Sequence, residues 1–329
     1  MNIVLRTVTD DEADIRLDRY LRRHVPALTQ GVIQRWCRTG QVRIDGARAG
    51  ADARLNPGQV VRVPPPPVAP VADAAPPPVD PAMAREILGL VIYQDPQVIV
   101  LNKPQGLPTQ GGPGIRKHVD AMLEGLREAG GPKPRLVHRL DRDTSGVLVV
   151  ARTPGVAARL AAAFRSRAVE KTYWAVVVGR PVPVEGRIEA NLVRVDGFRG
   201  ERAALAGPYD TEVAASITDF RTLDHAARKL AWLELKPLTG RTHQLRVHCA
   251  SIGAPILGDL PYGVEKEGRN SAMVDGLGST LHLHARGISL PHPAGGTLAV
   301  EAALPPHMVV TFRDLGFEAP PVRGVERRK

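Results

Sequence analysis

Cysteine is almost missing from this chain of 329 residues: there are two, Cys37 and Cys249. They lie far apart in sequence and fit no metal-ligand spacing, which excludes a disulfide framework and leaves two reduced, buried thiols as the expectation. Long apolar runs are absent as well. None approaches the ~20 residues of a membrane-spanning helix, and the N-terminus has neither the basic start nor the apolar stretch of a signal peptide, so a cytoplasmic location is expected. No internal repeat is visible. Nor is there a phosphate-binding loop, because Gly111-Gly112-Pro113-Gly114 is short and lacks the Gly-Lys-Ser/Thr ending.

Acidic residues are in deficit. Asp plus Glu number 34 against 44 Lys plus Arg, giving a net charge of +10, and such a balance points first to a polyanionic partner. The hydrophobic content of 43% supports a sizeable core, and the length suffices for two domains.

Residues 14–63 read as a compact unit. Asp14 is placed to cap a helix carrying Ile15, Leu17, Tyr20, Leu21 and Val25; Thr29 is placed to cap a second, with Val32, Ile33, Trp36 and Cys37 on one face, stopped by Gly40. Gln41 to Ile44 alternates as a strand into an Asp45-Gly46 turn, and Val60 to Val63 follows as another. Arginines stud the remainder, among them Arg16, Arg35, Arg38 and Arg43, and guanidinium groups suit bidentate phosphate contact. Residues 64–84 form a proline-rich linker, too poor in amide donors to join a sheet or helix. Its proline core in polyproline II geometry would span ~55 Å. Residues 85–329 form the rest.

In that larger segment Val98 to Leu101 is a solid apolar run, the mark of a strand buried on both faces. Helical spacing appears at 119–126 and 156–164. Tyr173 to Val178 reads as a strand, 212–224 and 229–238 as a hairpin, and Leu281 to Ala285 and Ile288 to Leu290 as two further short elements. Strands outnumber helices without a βαβ rhythm, so the expected fold class is α+β, built around a mixed, mainly antiparallel β-sheet.

The most informative stretch is His138-Arg139-Leu140-Asp141-Arg142-Asp143-Thr144-Ser145-Gly146, which feeds into Val147-Leu148-Val149-Val150. A strand that apolar is buried, so the polar nonamer before it is a loop at the sheet's rim, where chemistry usually sits. Asp141 lies between Arg139 and Arg142, whose guanidinium groups are expected to keep it ionised. Asp143 to Gly146 supplies short hydrogen-bonding side chains and a glycine that hold a loop in one shape. His138, His243 and His248 are expected to be structural, hydrogen-bonded residues.

The nonamer resembles the active-site signature of the RluA-type RNA pseudouridine synthases, with His138, Arg139, Leu140, Asp141, Thr144, Ser145 and Gly146 matching. Leu101-Asn102-Lys103-Pro104-Gln105-Gly106-Leu107, Glu170-Lys171-Thr172-Tyr173 and Leu238-Thr239-Gly240-Arg241-Thr242-His243-Gln244-Leu245-Arg246-Val247-His248 match further segments in the same order. The N-terminal unit is similar to an S4 RNA-binding domain through Arg16-Leu17-Asp18-x-Tyr20-Leu21 and the Gly40 to Gly46 strand. It departs at Thr29-Gln30-Gly31, where a small residue and arginine pair would supply a phosphate contact.

This resemblance implies uridine isomerisation without a cofactor or metal, with Asp141 as the catalytic carboxylate, Arg246 as the cation set against it, and Tyr173 as the residue whose ring stacks on the extracted base and whose hydroxyl assists proton removal from C5. Arg241 is the weaker candidate for the role given to Arg246. Arg139 is placed to fill the gap left by the flipped uridine, and Arg142, Arg241 and the N-terminal arginines to contact RNA. Within the family the likeness is closest to the S4-bearing enzymes of large-subunit ribosomal RNA, and a monomer is expected. Two other readings remain open at this point. One is a metal-dependent phosphoesterase using His138, Asp141, Asp143, His243 and His248. The other is an RNA-binding assembly factor with an inactive site.

Overall fold

The computed structural model describes residues 3–328 apart from 26–27, 66–79, 113, 198–199, 212, 228, 264 and 267–268. The chain divides into two compact units, Met1–Pro78 and Val79–Lys329.

In the first unit, helices Leu17–His24 and Gln30–Arg38 pack on a four-stranded sheet in the order Val4–Thr7, Val60–Val63, Arg43–Ile44, Ala47–Arg48. Leu17, Tyr20 and Leu21 from one helix and Ile33, Trp36 and Cys37 from the other meet Leu55, Val61 and Val63 in one core, as their i, i+3, i+4 spacing requires. Thr29 caps the second helix, accepting from the Val32 amide. Asp14 does not cap the first. Arg16 holds that position, and the amides of Leu17 and Asp18 donate to the carbonyls of Ala53 and Ala51 at 2.8 and 2.9 Å, so a neighbouring segment meets the need that a side-chain cap would have met. Asp14 pairs with Arg54 instead.

The proline linker expected over 64–84 falls mostly on residues outside those described. Helix Pro81–Gly89 begins inside its expected span, with Asp80 accepting from the Ala82 amide at 2.8 Å.

The second unit is α+β around one mixed sheet. Its main path runs Gly200–Leu205, Glu185–Gly197, Ala214–Ala226, Leu230–Pro237, Glu170–Val178, Leu283–Pro291, Ser145–Ala151, Val98–Lys103, Val91–Gln94. Along that path only Leu283–Pro291 and Ser145–Ala151 run parallel, with His284 opposite Ser145 and Ala285 opposite Gly146. The apolar runs are apolar because both faces are covered. Val98, Val100, Val147 and Val149 pack under helix Pro154–Arg165 through Val156 and Leu160. Ile99, Leu101, Leu148 and Val150 face the other way, against Ile87, Val119, Met122 and Leu123. Each such side chain contributes roughly 1.5–3 kcal/mol on full burial.

The two short elements expected over 281–290 are a single strand, Leu283–Pro291. Its register shifts between Ala285 and Gly287, so a bulge breaks the alternation that a continuous strand would display in sequence.

Candidate active site

At the rim where Ser145–Ala151 enters the sheet, the loop carrying Asp141 is tied down by groups remote in sequence. Thr109 Oγ1 donates to the Leu140 carbonyl at 2.6 Å and accepts from the Leu140 amide at 3.2 Å. Lys103, fully buried, donates through Nζ to the carbonyls of Pro104, Leu107 and Arg142 at 3.0, 2.8 and 3.0 Å. Burial pushes its amine down to about 8, against the opposing pull of Asp143 and Asp141. The Thr144 amide donates to the Asp141 carbonyl, closing a turn, and Ser145 Oγ meets His284 Nδ1 at 2.9 Å. Gly146 is obligatory: its φ is +111°, and a Cβ there would stand 2.2 Å from the Ala285 carbonyl oxygen of the parallel strand.

Asp141 lines a cavity of about 650 Å³ with Arg139, Lys171, Tyr173, Arg241, His243 and Arg246, a size fit for a small organic group such as a nucleobase. Tyr173 reaches it because Glu170–Val178 alternates, sending Lys171 and Tyr173 to one face and Trp174 to the other, where it joins Trp232, Met308 and Phe312. Burial first, and the Asp141 charge second, push the Tyr173 phenol up, so it stays protonated.

The sequence pairs Asp141 with guanidinium groups; the structure corrects this. Arg142 is exposed and its Nε donates to the Gly106 carbonyl at 3.2 Å, while Arg139 is exposed at the cavity mouth. The turn closed between Asp141 and Thr144 carries Arg142 toward the Gly106 carbonyl. Arg246 does not bond Asp141 either: its Nε and Nη2 donate to Asp259 at 2.8 and 2.6 Å. Burial works against the Arg246 charge, but the Asp259 bonds outweigh it and raise the guanidinium's pKa, with Asp141 adding at longer range. Among the described residues, the titratable side chain within 4 Å of the Asp141 carboxylate is His243, Nε2 to Oδ2 3.9 Å.

Arg246 and His243 owe their places to helix Gln244–Ser251, which the sequence does not signal, since Gln244 to Cys249 are all buried and no polar face remains to mark a helical period. Gln244 locks its start, accepting from Thr239 Oγ1 at 2.7 Å and the Arg241 amide at 3.0 Å while donating to Ile217 and Thr218. Arg241 is exposed and donates to the Ala215 carbonyl at 3.2 Å. Asp259 and Tyr262 escape sequence reasoning, and Lys103, although it stands in the Leu101 to Leu107 segment of the resemblance, carries no expected role there.

Of the three histidines expected to be structural, His138 and His248 are each held by hydrogen bonds inside the fold. His138 Nε2 accepts from the Val149 amide at 2.8 Å, its ring stacks on Phe164, and burial pushes it down to about 3. His248 contacts Ser216 and Thr218 at 2.7 and 2.9 Å, and burial pushes it to about 4. Among the described residues no group of three or more His, Cys, Asp or Glu side chains could hold a metal ion, so the five residues of the phosphoesterase reading do not assemble into a ligand set. No helix of the described residues is long and apolar enough to cross a membrane.

Arg35 and Arg38 are exposed on the second helix of the N-terminal unit. Arg16 is taken up by Asp18 at 3.0 Å, and Arg43 by the carbonyls of Gly40 and Gly46 at 3.2 and 2.9 Å.

Comparison with known proteins bears on the family of the chain. Residues 97–251 match the family described as RNA pseudouridylate synthase, and residues 15–61 match the S4 domain. The ribosomal large subunit pseudouridine synthase C of Rickettsia bellii is 35% identical over 295 residues, covering 88% of this chain and 94% of that protein. Its namesake in Vibrio cholerae is 34% identical over 306 residues, covering 92% and 93%. The solved structure of human RNA pseudouridylate synthase domain containing 4 superposes with a TM-score of 0.61 at 27% identity, covering 73% of this chain and 98% of that one. At these identities over nearly the whole of both chains, and with a family match centred on the sheet that carries Asp141, the chain belongs to the RNA pseudouridine synthase family.

Proposed function

We propose that the chain isomerises uridine to pseudouridine in large-subunit ribosomal RNA, with Asp141 as the catalytic carboxylate. The observation that carries the assignment is the placement of Asp141: partly exposed, with 23% of its side chain accessible, in a cavity shared with Tyr173. A duplex or stacked uridine cannot bring its sugar to such a carboxylate, so the nucleotide must be extruded first, at a cost of a few kcal/mol. Arg139, exposed at the mouth, is positioned to occupy the vacated stack, and Arg241 to contact a neighbouring phosphate.

Asp141 acts on the sugar as nucleophile or base when the bond from C1′ to N1 breaks. The Tyr173 ring offers a face for the released uracil. Arg246 adds positive potential near Asp141 from its fixed seat on Asp259. The choice of ribosomal RNA rests on the names of the relatives and on a second basic unit, since Arg35 and Arg38 offer a surface for a helix of a large folded RNA away from the modified loop.

Pseudouridine mapping of cellular RNA, with the gene present, deleted, or restored as Asp141→Asn, tests the proposal. The expected result is one or more sites in large-subunit ribosomal RNA that vanish on deletion and do not return with Asp141→Asn. Sites confined to transfer RNA would overturn the target, and full restoration by Asp141→Asn would overturn the catalytic assignment.

A further inference from the structure

Moving the glycosidic bond from N1 to C5 leaves an account to be closed: C5 must lose its hydrogen as a proton, and N1 must gain one. The tautomer of His243 bears on where that proton goes. Ala206 donates to the Asn191 carbonyl at 2.8 Å, and Leu205 lies opposite Leu192, so by the alternation of an antiparallel ladder the N–H and C=O of Ala203 point outward from the sheet edge. Tyr262 satisfies both. The Ala203 amide donates to its hydroxyl oxygen at 3.1 Å, and that hydroxyl donates to the Ala203 carbonyl at 3.0 Å. With its single hydrogen committed, the hydroxyl can only accept from His243 Nδ1, 2.8 Å away. The neutral ring is therefore protonated at Nδ1, and Nε2 carries a lone pair facing Asp141 Oδ2 at 3.9 Å in the cavity.

We propose that His243 Nε2 is the acceptor of the C5 proton in this reaction. The inference rests on the cavity of Asp141 being the site of isomerisation. Once uracil is joined through C5, the C5–H bond breaks and its proton goes to Nε2. The bonding pair forms the C5–C6 double bond, the C6–N1 π pair moves onto N1, and N1 takes a proton from the imidazolium, which returns to its starting state.

The surroundings favour this assignment. His138 has its Nε2 occupied by the Val149 amide, and the Tyr173 hydroxyl is kept protonated by burial and by Asp141, so neither offers a free lone pair of comparable basicity. Four charges face His243: Asp141 and Asp259, which favour its cation, and Arg246 and Arg202, which oppose it. Burial tips the balance toward the neutral ring. The backbone of His243 is left-handed, φ +52°, a conformation that holds the ring at the head of helix Gln244–Ser251 and that asparagine also tolerates.

Two measurements on the full chain test the proposal. Two-bond proton–nitrogen correlation spectra of the wild type, assigned through His243→Asn, are expected to show His243 protonated at Nδ1 and bare at Nε2 above its titration midpoint. Protonation at Nε2 would overturn the proposal whether or not the variant folds. In single turnover on RNA bearing 5-deuterouridine, His243→Asn is expected to slow product formation by ~10²–10⁴-fold, to acquire a C5 isotope effect larger than that of the wild type, and to lose the acid limb of the pH profile, with RNA affinity kept. A folded His243→Asn with the parent rate and isotope effect would overturn it. Failure of the Asp141 assignment looks different: Asp141→Asn would then still make product, whereas under that assignment it stops before the C5 step.

Discussion

Arg246 and Asp259 form a two-bond ion pair sealed from solvent, with Nε to Oδ2 at 2.8 Å, Nη2 to Oδ1 at 2.6 Å, and side chains 7% and 0% exposed. Removing one partner strands a buried charge, so Asp259→Ala and Arg246→Ala are each expected to cost ~3–5 kcal/mol, read from urea unfolding. The cation also lies in the cavity, with its guanidinium carbon 4.9 Å from the centre of the Tyr262 ring. Arg246→Ala should therefore lower the single-turnover rate more than RNA affinity. Collapse of binding with unchanged chemistry would make Arg246 a phosphate contact.

Asp141→Asn separates chemistry from folding. The carboxylate is partly exposed and the hydrogen bonds that hold its loop are made by Thr109, Lys103 and the backbone, so loss of the charge leaves the scaffold intact. Unfolding free energy is expected to change by less than about 1 kcal/mol, while product formation falls by roughly 10³-fold or more. A large stability loss would mean that Asp141 is a structural member of the loop.

Much of this was legible in the sequence, for identifiable physical reasons. The runs Val98 to Leu101 and Val147 to Val150 announce a two-faced burial that the clusters around Val156 and Val119 supply. The polar nonamer before the second run marks the rim. What stayed hidden depends on tertiary partners. Helix Gln244–Ser251 carries no polar stripe because all of its first six residues are buried, and it brings Arg246 to Asp259, thirteen positions on. The expectation that Arg139 and Arg142 pair with Asp141 treats sequence neighbours as spatial ones. His243 reaches Asp141 across the cleft instead.

Lys103 gives a pH signature. Its buried amine titrates at about 8 against 10.5 for the ordinary group. Between those values the unfolded chain binds a proton that the folded one has released, so stability rises with pH across that window, by up to about 3 kcal/mol from this group. Below about pH 8 both states are charged, and the burial penalty is present in full. Lys103→Met should remove this rise, so the difference in unfolding free energy between wild type and variant is expected to grow in the wild type's favour from pH 8 to 10. The variant also leaves the carbonyls of Pro104, Leu107 and Arg142 without their donor, and its Asp141 loop should exchange amide hydrogens faster. A pH-independent difference would mean that the ammonium is solvated in the folded state.

The N-terminal arginines divide by what already holds them. Arg43 bridges the carbonyls of Gly40 and Gly46, so Arg43→Ala should act on folding of this unit. Arg16 is paired with Asp18, and its loss should be felt weakly, as for other exposed pairs. Arg35 and Arg38 sit on the exposed side of helix Gln30–Arg38, either side of buried Trp36 and Cys37. A phosphate neutralised by each would release its counterions, which makes affinity fall with salt in proportion to the number of contacts. The double variant Arg35→Ala, Arg38→Ala is expected to bind ribosomal RNA more weakly and to reduce the slope of log affinity against log salt by about 2. Single-turnover chemistry at saturating RNA should be unchanged, since both residues belong to the unit that lacks Asp141. Deletion of residues 1–80 should flatten the slope at least as far. If the double variant kept the parent slope while the deletion flattened it, the contacts would lie elsewhere on the S4 unit; if neither changed it, that unit would have no part in holding RNA.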